Sequence, residues 1–209
     1  MRSPIGYEGA VAVPREGSYI KSYPHFLSYF AEREVLTDVD VVRGAHMVYG
    51  WMPTILEINP GVLPVTELQL AATYLNRARQ EALTQADLYA LKRLINNSIV
   101  GASKLLHFVA PERYAIWDSR VYAFARGHYG SHAAVNSVSN YLGYLQEREK
   151  DIADERFPAF HRMVCEKVGY EVSKMRALEL IMFLNAPSRK AKSAEVIESP
   201  EDVLAVAEK

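Results

Sequence analysis

The chain has 209 residues, 49% of them hydrophobic, with 24 basic and 25 acidic side chains and a net charge of −1. That length and apolar content suit one domain, or two small lobes around a shared core, and exclude wholesale disorder. The charge balance leaves no global footprint for nucleic acid or an anionic membrane, so any such site has to be a local patch. A lone cysteine, Cys165, excludes a disulfide framework and a cysteine-rich zinc or iron–sulfur centre. The N-terminal stretch has no signal-type apolar run, and no span of about eighteen apolar residues occurs. A cytoplasmic protein without membrane contact is expected.

Residues 1–23 are rich in Gly, Pro and Tyr and read as mostly irregular, with a short extended piece at 10–13. A helix is expected to begin near Pro24, where a missing N–H costs nothing in a first turn. Thr37 or Asp38 caps a second helix running to about Val48. The bulky stretch around Tyr49, Trp51 and Met52 breaks the pattern and folds back on the core. A third helix is expected over 65–79. Thr84 with Asp87 resembles a capping pair for a fourth helix over 85–97. Further helices are read at 133–153, 158–168 and 173–184. The tail from Arg189 starts basic and turns acidic; it reads as an exposed appendage with a short amphipathic helix near 202–208. No segment alternates apolar and polar residues for long, so the fold class is all-α, with residues 1–188 as one helical domain and 189–209 as the tail.

The stretch over 91–126 holds the chemistry-bearing pattern. Leu88, Leu91, Leu94 and Ile95 form the inner face of one helix, Gly101 supplies the flexible position of a sharp turn, and a second helix starts at about Ala102 and stops at Pro111. Backbone N–H groups from Ser98 to Ser103 would then point outward at a helix start and suit a phosphate, with Ser103 and Lys104 adding a hydroxyl and a charge. Asp118 is a good N-cap for the next helix, accepting from the N–H groups of Arg120 and Val121. A carboxylate fixed in this way can stabilise positive charge on a sugar as a base departs, or direct a water. It is equally an ordinary helix cap.

The order helix, hairpin, helix, loop and capping Asp resembles the helix-hairpin-helix superfamily of DNA glycosylases. The resemblance covers about 35 residues closely. Val100 and Gly101 look like the hairpin turn, Lys104 like the optional Schiff-base lysine and Asp118 like the invariant acid. This turn has one glycine where the family usually has two, and the Lys-to-Asp separation is shorter than usual. The resemblance implies a helical bundle in two lobes that flips a modified base from DNA and cleaves its N-glycosidic bond, with no cofactor and no metal, acting as a monomer. Asn97, Ser98, Val100, Gly101, Ser103, Lys104 and Arg120 would meet DNA. Trp51, Met52, His107 and Trp117 would line the base pocket. A bulky, phage-type base such as glucosylated hydroxymethylcytosine, with a role in defence, is one substrate that the breadth of the family admits.

Two other readings stay open. One is a non-enzymatic helical module that binds nucleic acid, with Asp118 only a cap. The other rests on the Arg126-x5-His132 and Arg156-x4-His161 spacings, which resemble the active-site motif of HEPN-type ribonucleases. No i, i+4 cluster of His and carboxylates of metal-site type stands out.

Overall fold

The computed structural model describes residues 1–51 and 65–188. Met52 and the whole tail from Arg189, including the helix expected near 202–208, lie outside the described residues. Among the described residues there are ten α-helices and no strand: α1 (Ser18–Ala31), α2 (Asp38–Gly50), α3 (Val65–Gln80), α4 (Gln85–Leu94), α5 (Ile99–Val109), α6 (Ser119–Arg126), α7 (His132–Val135), α8 (Val138–Ile152), α9 (Phe157–Val168) and α10 (Lys174–Leu184). None is long and apolar enough to cross a membrane.

The start signals read from local sequence hold where a side chain caps the helix. Thr84 and Asp87 form a reciprocal capping box, with Thr84 N donating to Asp87 Oδ2 over 2.9 Å. Thr37 and Asp40 do the same for α2. Two expectations fail for identifiable reasons. Helix α1 begins at Ser18, so Pro24 lies inside it rather than in its first turn. Pro24 has no N–H for the carbonyl of Ile20, and the Tyr170 hydroxyl donates to that carbonyl instead, over 2.7 Å. The helix expected over 133–153 is two helices, α7 and α8. Asn136 and Ser137 interrupt it: Ser137 caps α8, and Asn136 turns its side chain away to another part of the chain.

That other part is the turn between α4 and α5. The turn spans 95–98, not Val100–Gly101, and its left-handed positions are Asn96 and Asn97, at φ 53° and 48°. Asparagine tolerates this region better than other side-chain-bearing residues. The Asn136 carboxamide staples the turn, donating to Asn97 O and accepting from Ile99 N, over 2.8 and 2.9 Å. Gly101 sits in the first turn of α5 with an ordinary helical backbone. Its role is closeness: a Cβ there would collide with the Tyr49 hydroxyl of α2.

Helix α5 is the centre of the larger core and packs against α1, α2, α3 and α4. Nine of its eleven residues are buried. A second apolar cluster, built on Phe157, Phe160, Val164 and Ile181, joins α9 to α10. Helix α10 also packs on α6 and α8, so the candidate site forms where α10 and the start of α6 face α5.

Candidate functional site

The site begins with a buried extended segment, 114–117, that leads from α5 into α6. A buried segment outside regular structure must satisfy its backbone groups with side chains. Here His107 Nδ1 bonds Tyr114 O at 2.6 Å, the Tyr141 hydroxyl donates to Ala115 O at 3.1 Å, and the Tyr144 hydroxyl donates to Ile116 O at 3.3 Å. Trp117 N donates to Ser103 Oγ at 3.1 Å, and the Trp117 indole N–H donates to Val135 O at 2.8 Å. The segment is therefore tied to α5, α7 and α8. It delivers Asp118 to the start of α6, where Oδ1 accepts from Arg120 N and Val121 N, each over 2.8 Å. The carboxylate is held at one point in space.

Asp118 lines a cavity of about 430 Å³. Lys104 from the middle of α5 lines it too, as do Ser98, Val100 and Gly101 from the first turn of that helix. Tyr19, Tyr49, Trp51 and Phe183 contribute aromatic lining, and Ile116 and Leu180 aliphatic lining. Trp51 is fixed by a bond from its indole N–H to Ser22 Oγ at 3.0 Å and by edge contacts with Tyr19 and Phe108. Burial of Tyr49 pushes its phenol up to about 12, with Ser98 opposing the shift. Burial also lowers the Lys104 ammonium from its ordinary value, with Asp118 and then Glu179 acting against the shift.

The remaining polar groups of the cavity come from α10: Arg176 and Glu179, 5% and 2% exposed. They form an ion pair one helical turn apart, Arg176 Nη1 to Glu179 Oε2. The Arg176 guanidinium lies 4.8 Å from the Tyr23 ring and 5.8 Å from the Trp51 ring. Burial pushes the Glu179 carboxyl up to about 7, against the pull of Arg176 and with a further push from Asp118. Sequence reasoning missed this pair by reading the helix as an apolar stripe. The signal was present: two opposite charges three residues apart inside the run Met175–Met182, every residue of which is buried.

Several expected site residues have other duties. Trp117 and Ser103 are fully buried in the core, and neither borders the cavity. His107 is fully buried as well; its Nε2 meets the Tyr23 hydroxyl at 2.7 Å, and burial lowers its pKa to about 3. Tyr114 O can only accept, so Nδ1 carries the proton and Nε2 accepts from Tyr23. Four of the amides expected to hold phosphate are engaged within the protein: Ser98 N with Ile95 O, Ile99 N with Asn136, Gly101 N with Ser98 Oγ and Ala102 N with Ser98 O. Asn97 is exposed at the turn. Arg120 is exposed and bonds Phe183 O at 3.1 Å, its guanidinium 4.6 Å from the Phe183 ring at the cavity.

The histidine motifs are spread over other surfaces. Arg156 pairs with Asp154 at 2.6 Å, and His161 Nε2 bonds Val172 O at 2.8 Å. The fold does gather His161, Cys165 and Glu171, one ligand-type atom of each within 4.8 Å of the others, a grouping that spacing alone did not reveal. Comparison of the chain with protein-family models, with curated proteins and with solved structures found no match.

Proposed function

We propose that this chain is a DNA glycosylase that hydrolyses the N-glycosidic bond of a flipped, modified base. The observation that carries the reading is Asp118, a carboxylate locked at a helix start by two backbone N–H bonds and facing an aromatic-walled cavity. A sugar losing its base develops positive charge at C1′. A preorganised carboxylate stabilises that charge without reorganising during the reaction. The same carboxylate orients the water that follows.

The cavity suits a flat heteroaromatic ring, lined as it is by Tyr19, Tyr49, Trp51 and Phe183 with Ile116 and Leu180. The volume of about 430 Å³ has room for a base together with part of its sugar. Lys104, at the same cavity with a lowered pKa, is placed to attack C1′ in a lyase step or to hold a phosphate. In this reading α4, the turn over 95–98 and α5 are the hairpin, and the helices around the two apolar clusters are the two lobes. The DNA backbone is held at the rim, where Arg120 is exposed beside Phe183.

The test is a screen of duplex oligonucleotides, each with one modified base, glucosylated hydroxymethylcytosine among them, read as alkali-labile abasic sites. Release from at least one duplex is expected. Release from none overturns the reading. Borohydride trapping on the active duplex then decides Lys104: a covalent adduct assigns it as a nucleophile, and no adduct removes the lyase step.

A further inference from the structure

Glu179 is the one acidic side chain of α10, and it is nearly inaccessible at 2% exposure, yet it borders the same cavity as Asp118. The two carboxyls sit in opposite settings. Asp118 accepts two backbone N–H bonds at the positive end of α6. Glu179 is buried within α10, its Oε2 held by Arg176. Two carboxyls in one cavity, one held by backbone donors and one buried on a helix beside a guanidinium, can divide acid and electrostatic work between them.

We propose that Glu179 donates the proton to the departing base while Asp118 faces the sugar. The proposal rests on the glycosylase reading. In the step, the C1′–N bond breaks and its electron pair goes to the base, which takes the Glu179 proton onto a ring nitrogen or carbonyl oxygen. Water adds to C1′ with Asp118 directing it, and the proton it loses returns to the Glu179 carboxylate. The products are the free base and the abasic sugar, and the enzyme is restored.

The charged and titratable groups facing Glu179 come from every side. They are Arg176 on its own helix, Lys104 on α5, Asp118 at the start of α6, Tyr144 on α8 and Tyr23 on α1. Burial is the largest influence and raises the carboxyl to about 7; Asp118 adds to it, and Arg176 and Lys104 oppose it. An acid near that value is protonated often enough to donate and ionised often enough to be recharged at neutral pH. Arg176 orients the carboxyl through Oε2. The rings of Tyr23 and Trp51 lie beside the guanidinium and help to hold Arg176 in turn.

The experiment has two arms. In the first, the full chain labelled with 13C at glutamate carboxyls is titrated by NMR. One glutamate titrating close to neutral pH, absent from Glu179→Gln, is expected; if all glutamates titrate in the ordinary carboxyl range, the proposal is overturned. In the second, base release from the modified-base duplex panel is followed against pH. The wild-type rate falls as pH rises through about 7. Glu179→Gln is slower by about 10²-fold, loses that limb and binds the duplex unchanged. Its deficit shrinks for bases substituted with electron-withdrawing groups, which depart without a proton, a pattern that a merely structural role would not produce. Unchanged release and an unchanged pH profile in Glu179→Gln overturn the proposal while leaving the glycosylase reading intact. No release by wild type from any duplex overturns that reading and this proposal with it. If Glu179→Gln fails to fold, the double variant Arg176→Gln with Glu179→Gln, which removes both buried charges, serves the same comparison.

Discussion

Ser103 and His107 stand four residues apart on α5, and both turn inward to the segment that carries Asp118. His107 stays neutral because burial opposes its charge and its two nitrogens have fixed partners. In the unfolded chain it takes a proton at about 6.5, whereas in the fold it does so only near 3. Its stabilising effect is therefore complete above 6.5 and is lost as pH falls toward 3. Denaturant unfolding across that range should show the wild type losing stability relative to His107→Gln as the pH drops; parallel curves for the two proteins would contradict a neutral buried His107. Of the residues at the site, Asp118 was legible in the sequence because a helix cap is set by its immediate neighbours. Arg176 and Glu179 were not. Whether a charge on an apolar helix faces solvent or the interior depends on which helices surround it, and α10 is covered by α6, α8 and α9 together. The same reason hid the duties of His107 and Trp117, whose partners lie 7 and 18 residues away.

Among the elements, capped helix starts were legible and internal breaks were not. Pro24 reads as a helix start because nothing local shows that Tyr170, 150 residues from Ile20, will satisfy the stranded carbonyl. Tyr170→Phe should remove that bond and cost about 1–2 kcal/mol, measured by denaturant unfolding; a change near zero would mean that another donor takes over. Gly101 reads as a turn residue because glycine is most often required for backbone freedom. Here it is required for the approach of α5 to Tyr49. Gly101→Ala should cost about 1–3 kcal/mol by overpacking and should move the Tyr49 ring at the cavity wall. An alanine variant as stable as wild type would show that α2 and α5 can separate without loss. The expected α4–α5 turn, Val100–Gly101, lies four residues late for the same reason: Asn96 and Asn97 hold its left-handed positions, with Asn136 as the staple.

Over the whole molecule the all-α class was legible from periodicity, since every long apolar stripe repeats at helical spacing. The convergence of α5, α6 and α10 on one cavity was not, because it depends on how a buried extended segment turns between them. That segment unites the account. Side chains of α5 and α8 hold it, it holds Asp118, and Asp118 faces a cavity whose other charged groups among the described residues are Lys104, Arg176 and Glu179. The most direct test is the rate of base release by Asp118→Asn beside wild type on a duplex that wild type cleaves, with duplex affinity and melting temperature measured on the same samples. The asparagine carboxamide keeps an acceptor for the N–H groups of Arg120 and Val121, so fold and affinity should survive, while release falls by about 10²-fold or more. Unchanged release from a folded, DNA-binding Asp118→Asn protein would contradict the account and leave Asp118 as a helix cap alone.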